Sequence, residues 1–213
     1  MLRLSVTQVG SYLQYINGRI TLYQLIEGLT KPTIPTIKMK VGSIFHCHMQ
    51  DTEHPDSDIV TFDETDLMTA KSRIDKRSDI YEYKIRRTVP TTRGNILLTG
   101  VADQIVGNVI HEYKTTFSPF NYDKYAESIQ WMGYCILFDI EKVVYQVWQL
   151  TEPDETEDAA KRKPLRVKSY HEFAMFGNAM SEFKFRDALN GLVDLVHILD
   201  LQDAIKKKQS LAK

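Results

Sequence analysis

Apolar residues at Val9, Tyr12, Leu13, Ile16 and Ile20 recur at three- and four-residue steps. The stretch from Ser5 to about Gly28 is therefore expected to be helical, with Gly10 and the Asn17-Gly18 pair interrupting it. Lys31-Pro32 to Pro35 predicts a loop. Val41 to Met49 opens a second helix, and Asp63 to Arg73 a third with an acidic first turn, on either side of the polar, turn-rich Asp51 to Asp58. The pattern then changes. Ile80 to Val89, Ile96 to Val106, Val109 to Thr116 and Val143 to Leu150 are rich in β-branched and aromatic residues and read as strands. Tyr125, Ile129, Met132 and Ile136 place a helix in Tyr122 to Phe138, long enough for a crossover that makes the strand at Val143 parallel to an earlier one. A further strand is expected from about Leu165 to Phe173, after a charged loop from Thr151 to Pro164. A helical tail runs from about Asn178 to Leu211.

This order predicts one α/β domain over residues 1–213: N-terminal helices (1–75), a core at about 76–150, and a C-terminal strand and helices (165–211). The core is an antiparallel three-strand meander, a crossover helix and a further strand. With 213 residues, 43% of them apolar, the chain can build one sizeable core. Lys plus Arg number 27 and Asp plus Glu 28, a formal net charge of −1. That balance excludes a disordered polyelectrolyte and a global basic field, so any grip on nucleic acid must come from a local patch. No run approaches the roughly 20 apolar residues of a membrane span, and Met1 to Gly10 lacks the apolar centre of a secretory signal. Only Cys47 and Cys135 are present, too few for a disulfide scaffold or a four-cysteine iron–sulfur cluster. A reduced, cytoplasmic setting is expected.

The chemistry concentrates in Gly100 to Lys114 (GVADQIVGNVIHEYK). Gly107-Asn108 between two β-rich runs is a hairpin signal. If these two residues form the turn, paired positions oppose Val106 with Val109, Ile105 with Ile110, Asp103 with Glu112 and Val101 with Lys114. Directly opposed residues share a face, so Asp103, Glu112 and Lys114 meet, with Cβ atoms about 5 Å apart. Two carboxylates at that spacing repel unless a cation lies between them, and hard oxygen ligands suit Mg²⁺ or Mn²⁺. Carboxylates, a divalent cation and an ammonium group are what phosphodiester hydrolysis needs. The same residues on an exposed edge hairpin would be a solvated salt-bridge strip worth ~0–1 kcal/mol. Val101, Ile105 and Ile110 tilt the reading, since buried charge without a partner is costly.

These residues resemble the PD-(D/E)XK nuclease superfamily, in particular its RecB-like exonuclease branch, which includes phage-type recombination exonucleases. Gly42-Ser43-Ile44-Phe45-His46 looks like the branch's GxxxH element, Gly100 to Ile105 like GxxDxI, Glu112-Tyr113-Lys114 like (D/E)xK, and Gln130 to Tyr134 like QxxxY. The likeness spans about Gly42 to Tyr134. Asp103 follows Ala102 rather than proline, and neither iron–sulfur cysteines nor helicase motifs are present. The resemblance implies a restriction-endonuclease-like αβββαβ core, a mixed central sheet flanked by helices. It implies Mg²⁺ or Mn²⁺ held by Asp103, Glu112, His46 and the Tyr113 main-chain carbonyl, with Lys114 catalytic and Gln130 and Tyr134 supporting the site.

Taken without the family, His46 among Ile44, Phe45 and Met49 reads as a core histidine, and Gln130 and Tyr134 as one face of a packing helix. If His46 does ligate, imidazole favours Mn²⁺ over Mg²⁺. Glu82-Tyr83-Lys84 is a second ExK triplet on the first strand; the connection from Pro90 to Asn95 is too long to fix its register, yet Glu82 is expected to project into the same cleft. Lys84, Arg86, Arg87 and Arg93 form one basic group for contacts to DNA, and Lys161, Arg162, Lys163, Arg166 and Lys168 another; Trp131 and Tyr134 offer stacking surfaces. The expected function is a metal-dependent deoxyribonuclease, an exonuclease acting in DNA recombination or repair. A structure-specific or sequence-specific endonuclease, or an inactive module binding DNA or a protein, are the alternatives. DNA is the expected partner, with a recombination partner protein and self-association left open.

Overall fold

In the computed structural model, which describes residues 1–74, 80–153 and 163–211, the β-branched runs pair into one mixed six-stranded sheet with helices on both faces. The elements in chain order are β1 (Arg3–Ser5), α1 (Val6–Ile16), α2 (Leu22–Thr30), α3 (Ile37–Met49), α4 (Glu64–Lys71), β2 (Tyr81–Thr91), β3 (Gly94–Val106) and β4 (Val109–Thr116). They continue with α5 (Tyr122–Ala126), α6 (Ile129–Phe138), β5 (Lys142–Leu150), β6 (Val167–Phe176), α7 (Ala179–Ile198) and α8 (Gln202–Leu211). From α4 to β5 the succession is the expected αβββαβ, with its second helix divided into α5 and α6. β2, β3 and β4 form the antiparallel meander, and β5 lies parallel to β4. No helix among the described residues is long and apolar enough to cross a membrane.

Helix starts follow local chemistry. Ser5 with Gln8, and Thr21 with Gln24, close reciprocal hydrogen bonds over the first turns of α1 and α2. Asp63 caps α4. Gly10 does not interrupt α1, because packing of α1 on α6 and α7 outweighs the ~1 kcal/mol that a helical glycine costs. The expected crossover helix is two helices, since Ser128 caps α6 by accepting from the Gln130 N–H. The C-terminal helix likewise divides, around Leu199 to Leu201.

Two features of the sheet place the site. First, β2 and β3 are joined by a two-residue turn, Thr92-Arg93, with Thr91 opposite Gly94 and Pro90 opposite Asn95. Pro90 is thus inside a strand, allowed because β2 is an edge strand whose missing N–H faces outward. Second, β3 pairs with β2 along one side from Gly94 to Gln104. Its other side is shared by two strands, β1 at Leu97 to Thr99 and β4 at Gln104 to Val106. Between them β3 and β4 part into a fork. β1 was not anticipated: three residues carry no readable alternation.

Successive β4 side chains enter different cores. Ile110 joins Leu98, Ala102, Tyr145 and the α1, α6 and α7 residues Val9, Ile129, Phe185 and Leu189 on one face. Tyr113 joins Trp148, Val41 and Phe45 on the α3 face.

Candidate active site

The β3–β4 turn sits at Gly107-Asn108, and Val106–Val109, Ile105–Ile110 and Gln104–His111 pair in the expected register. One step further, at the fork, the ladder is replaced by side chains. Asp103 Oδ2 accepts the Tyr113 N–H at 2.7 Å, and Glu112 Oε1 accepts the Asp103 N–H at 3.4 Å. Each acid thus takes the place of a backbone carbonyl toward the other's strand. Lys114 Nζ lies 2.6 Å from Glu112 Oε2 and 3.9 Å from Asp103 Oδ2. Asp103, Glu112 and Lys114 therefore converge.

His46 arrives from α3. A Cβ on Gly42, one turn earlier, would stand 2.9 Å from Thr115 Oγ1, so glycine there allows α3 to lie close on β4. His46 Nδ1 is 3.8 Å from Asp103 Oδ1, and its ring stands edge-on to Tyr113 and bonds to the Tyr113 backbone.

Glu82 completes the cluster. The flanking pairs Tyr81–Gln104 and Tyr83–Ala102 bring it across from Asp103, its φ is 49°, and Gln50 Nε2 donates to both Glu82 Oε1 (3.3 Å) and the Asp103 carbonyl (3.4 Å). Single ligating atoms of His46, Glu82 and Asp103 lie within 4.8 Å of one another, a spacing that could hold a metal ion. Three adjacent strands thus offer one carboxylate each. Gln50 was missed in the sequence, although it follows His46 by four positions, the signature of a shared helix face.

Burial dominates the electrostatics. Glu112, 1% exposed, has its pKa pushed well above the ordinary carboxylate value by burial and by Asp103. Burial opposes the charge on Lys114, but Glu112 and Asp103 together hold it well above a free lysine, so the ammonium persists. Burial lowers His46, partly offset by Asp103, leaving a neutral imidazole with a free ring nitrogen as donor to a metal.

Gln130 Nε2 donates to the Tyr134 hydroxyl at 2.7 Å, and burial followed by the nearby Glu112 charge pushes that phenol's pKa up. A Cβ on Gly100 would stand 2.9 Å from Leu137 Cδ1 and 3.1 Å from Tyr134 Cε1, so this glycine makes room for α6 beside the fork. Beyond Lys114 opens a cavity of about 580 Å³, lined by polar residues such as Gln14, Arg19, Lys124 and Gln130 and by apolar ones such as Leu13, Tyr125 and Ile129. Tyr145, another residue not anticipated, is buried beside Lys114.

Other expectations part from the structure. Arg87 lies on the opposite face of β2 from Glu82 and Arg86, donating to the Ile136 carbonyl at 2.8 Å. Arg93 pairs with Asp194 at 2.6 Å, so the first basic group is divided. Arg166 is held by Asp66, and Lys161 and Arg162 lie outside the described residues. Trp131 and Tyr134 are core residues, 6% and 4% exposed, and present no stacking surface.

No family profile and no curated relative matches the sequence. In three dimensions the chain is similar to the crystal structure of SSO0001, with a TM-score of 0.54 and 15% identity over 92% of this chain and 77% of that one. It is also similar to a "putative exonuclease" from Eubacterium rectale, with a TM-score of 0.51 and 11% identity over 97% of this chain and 82% of that one. At these identities the likeness is one of fold: a mixed α/β architecture shared with a protein described as an exonuclease.

Proposed function

We propose that this chain is a Mg²⁺- or Mn²⁺-dependent deoxyribonuclease, an exonuclease of the phage-recombination type. The observation that carries the reading is the convergence of His46, Glu82 and Asp103 with Lys114 at the β3–β4 fork. Glu82, Asp103 and the Glu112 carboxyl, which holds its proton more tightly than a free one, face one ammonium and one neutral imidazole, and the donors they offer are the oxygen and nitrogen ligands that Mg²⁺ and Mn²⁺ accept. Bound there, the cation supplies Lewis acidity toward a phosphate oxygen and a more acidic water.

The residues divide the remaining work. His46, Glu82 and Asp103 would ligate, and Gln50 holds the Glu82 carboxylate toward them. Lys114, kept protonated by its two acids, serves as a donor and a positive charge, orienting water or offsetting charge on the phosphate, and not as a base. Glu112 aims that ammonium at the gap beside Asp103. Gln130 and Tyr134 brace the fork from α6.

The test incubates the purified chain with linear and covalently closed duplex DNA in Mn²⁺, Mg²⁺ or EDTA. Metal-dependent loss of linear DNA is expected, falling by at least about 10²-fold in Lys114→Ala. Unchanged cleavage in that variant, with its circular dichroism intact, overturns the reading. Cutting of closed circles moves it to an endonuclease, and binding without cleavage in every metal to a non-catalytic module.

A further inference from the structure

We infer that the outward face of β2 is a track for one polynucleotide strand, with Lys84 and Arg86 holding two consecutive phosphates that lead away from Glu82. The inference rests on the nuclease reading for the place of the cut, but not for the binding itself.

The two faces of β2 are settled by their contacts. Tyr83 packs its ring on Phe138, Ile85 lies against the core, Arg87 bonds to Ile136 and Val89 is 3% exposed, so the odd-numbered residues face α6. Alternation sends Lys84 and Arg86 to the other face. Glu82 lies there too, bonded to Gln50 at the end of α3 and beside His46.

On that face Lys84 and Arg86 are exposed, and among the described residues neither side chain has an ion pair or a hydrogen bond. Their cross-strand neighbours on β3 are Val101 and Thr99, neither of them a carboxylate. Arg19, Lys71, Arg93 and Arg166, by contrast, are each matched to an acid within about 3 Å. Lys84 and Arg86 are thus two unmatched cations beside the candidate metal centre, in a chain whose net charge is only −1.

Geometry then favours a polynucleotide over a scattered anion. Residues two apart on a strand are spaced by about 6.6–6.8 Å, close to the separation of successive phosphates along one nucleic-acid strand. Lys84 and Arg86 thus form a pair of cations at nearly the repeat of the substrate backbone, leading away from Glu82.

The experiment measures binding of a fluorescein-labelled DNA oligonucleotide in EDTA, where no cut intervenes, over a series of salt concentrations. Lys84→Gln and Arg86→Gln keep the side-chain stem and remove the charge; Lys207→Gln on α8 is the control. Each β2 variant is expected to reduce the steepness of log K against log salt by about 0.7–0.9, the loss of one phosphate contact, while the control leaves it unchanged. Single methylphosphonate linkages walked along the oligonucleotide should cancel the two effects at adjacent positions. Slopes equal to the parent's, or a parent that binds no DNA, overturn the inference. Reduced slopes without cleavage in any metal retain the track and remove the nuclease reading; cleavage with unmoved slopes does the reverse.

Discussion

Asp103 has two roles that substitution can separate. Its Oδ2 accepts the Tyr113 N–H at 2.7 Å where the β3–β4 ladder ends, and Tyr113 is fully buried. Asp103→Ala leaves that N–H without an acceptor, which costs about 1–3 kcal/mol in a buried setting. Asp103→Asn retains an amide oxygen for the same bond. It also sheds a negative charge beside Glu112, at the expense of a weaker attraction to Lys114 at 3.9 Å, so its net effect on stability is near zero. For a chain of this size 1 kcal/mol moves the melting temperature by about 2–4 °C. The alanine variant should therefore melt about 2–12 °C below the parent in EDTA, and the asparagine variant close to the parent. Both should lose metal-dependent cleavage, since each removes a proposed ligand. Thermal unfolding followed by circular dichroism reads the first effect and a linear-DNA assay the second. If alanine and asparagine variants melt together, the Asp103 carboxylate is not the lock that holds the fork.

Three further outcomes follow from the same geometry. Because Glu112 binds its proton more tightly in the folded chain than in the unfolded one, metal-free stability should fall as pH rises from the ordinary carboxylate range toward neutrality; urea unfolding in EDTA should show that slope flattened in Glu112→Gln. His46→Ala should weaken Mn²⁺ binding more than Mg²⁺ binding, read by calorimetric titration of each ion, and an equal loss for both would remove His46 from the ligand set. Gly100→Ala should destabilise the fold by about 1–3 kcal/mol, because its methyl meets Leu137 and Tyr134 in the core; a urea midpoint at or above the parent's contradicts that packing.

Much of the hairpin was legible because its signals are local. Gly107-Asn108 fixes a turn, and the turn fixes a register that carries Ile105 to Ile110. What alternation could not show is that the ladder stops one residue later, with Asp103 and Glu112 themselves bridging the strands. Glu82 was anticipated in the cleft but not placed, since Pro90 reads as a loop breaker while an edge strand absorbs it and leaves a tight Thr92-Arg93 turn. With that turn known, Glu82 falls opposite Asp103 by counting. The basic groups were least legible: adjacency in sequence put Arg86 and Arg87 together, and strand alternation put them on opposite faces. Their partners, Asp194 for Arg93 and Asp66 for Arg166, lie about a hundred residues away, beyond any local pattern.

The Thr92-Arg93 turn is fastened to the far end of the chain. The Thr92 N–H donates to Asn190 Oδ1 at 3.1 Å and Arg93 Nε to Asp194 Oδ1 at 2.6 Å, both on α7. A strand at the rim of a sheet has neighbours on one side only, so this clasp steadies β2 against peeling away. Glu82, Lys84 and Arg86 share that strand, and α7 consequently steadies one edge of the candidate site. The far end of the chain thereby reaches the candidate site only through the strand it holds, while its buried side chains Phe185, Leu189 and Leu192 serve the core as a whole.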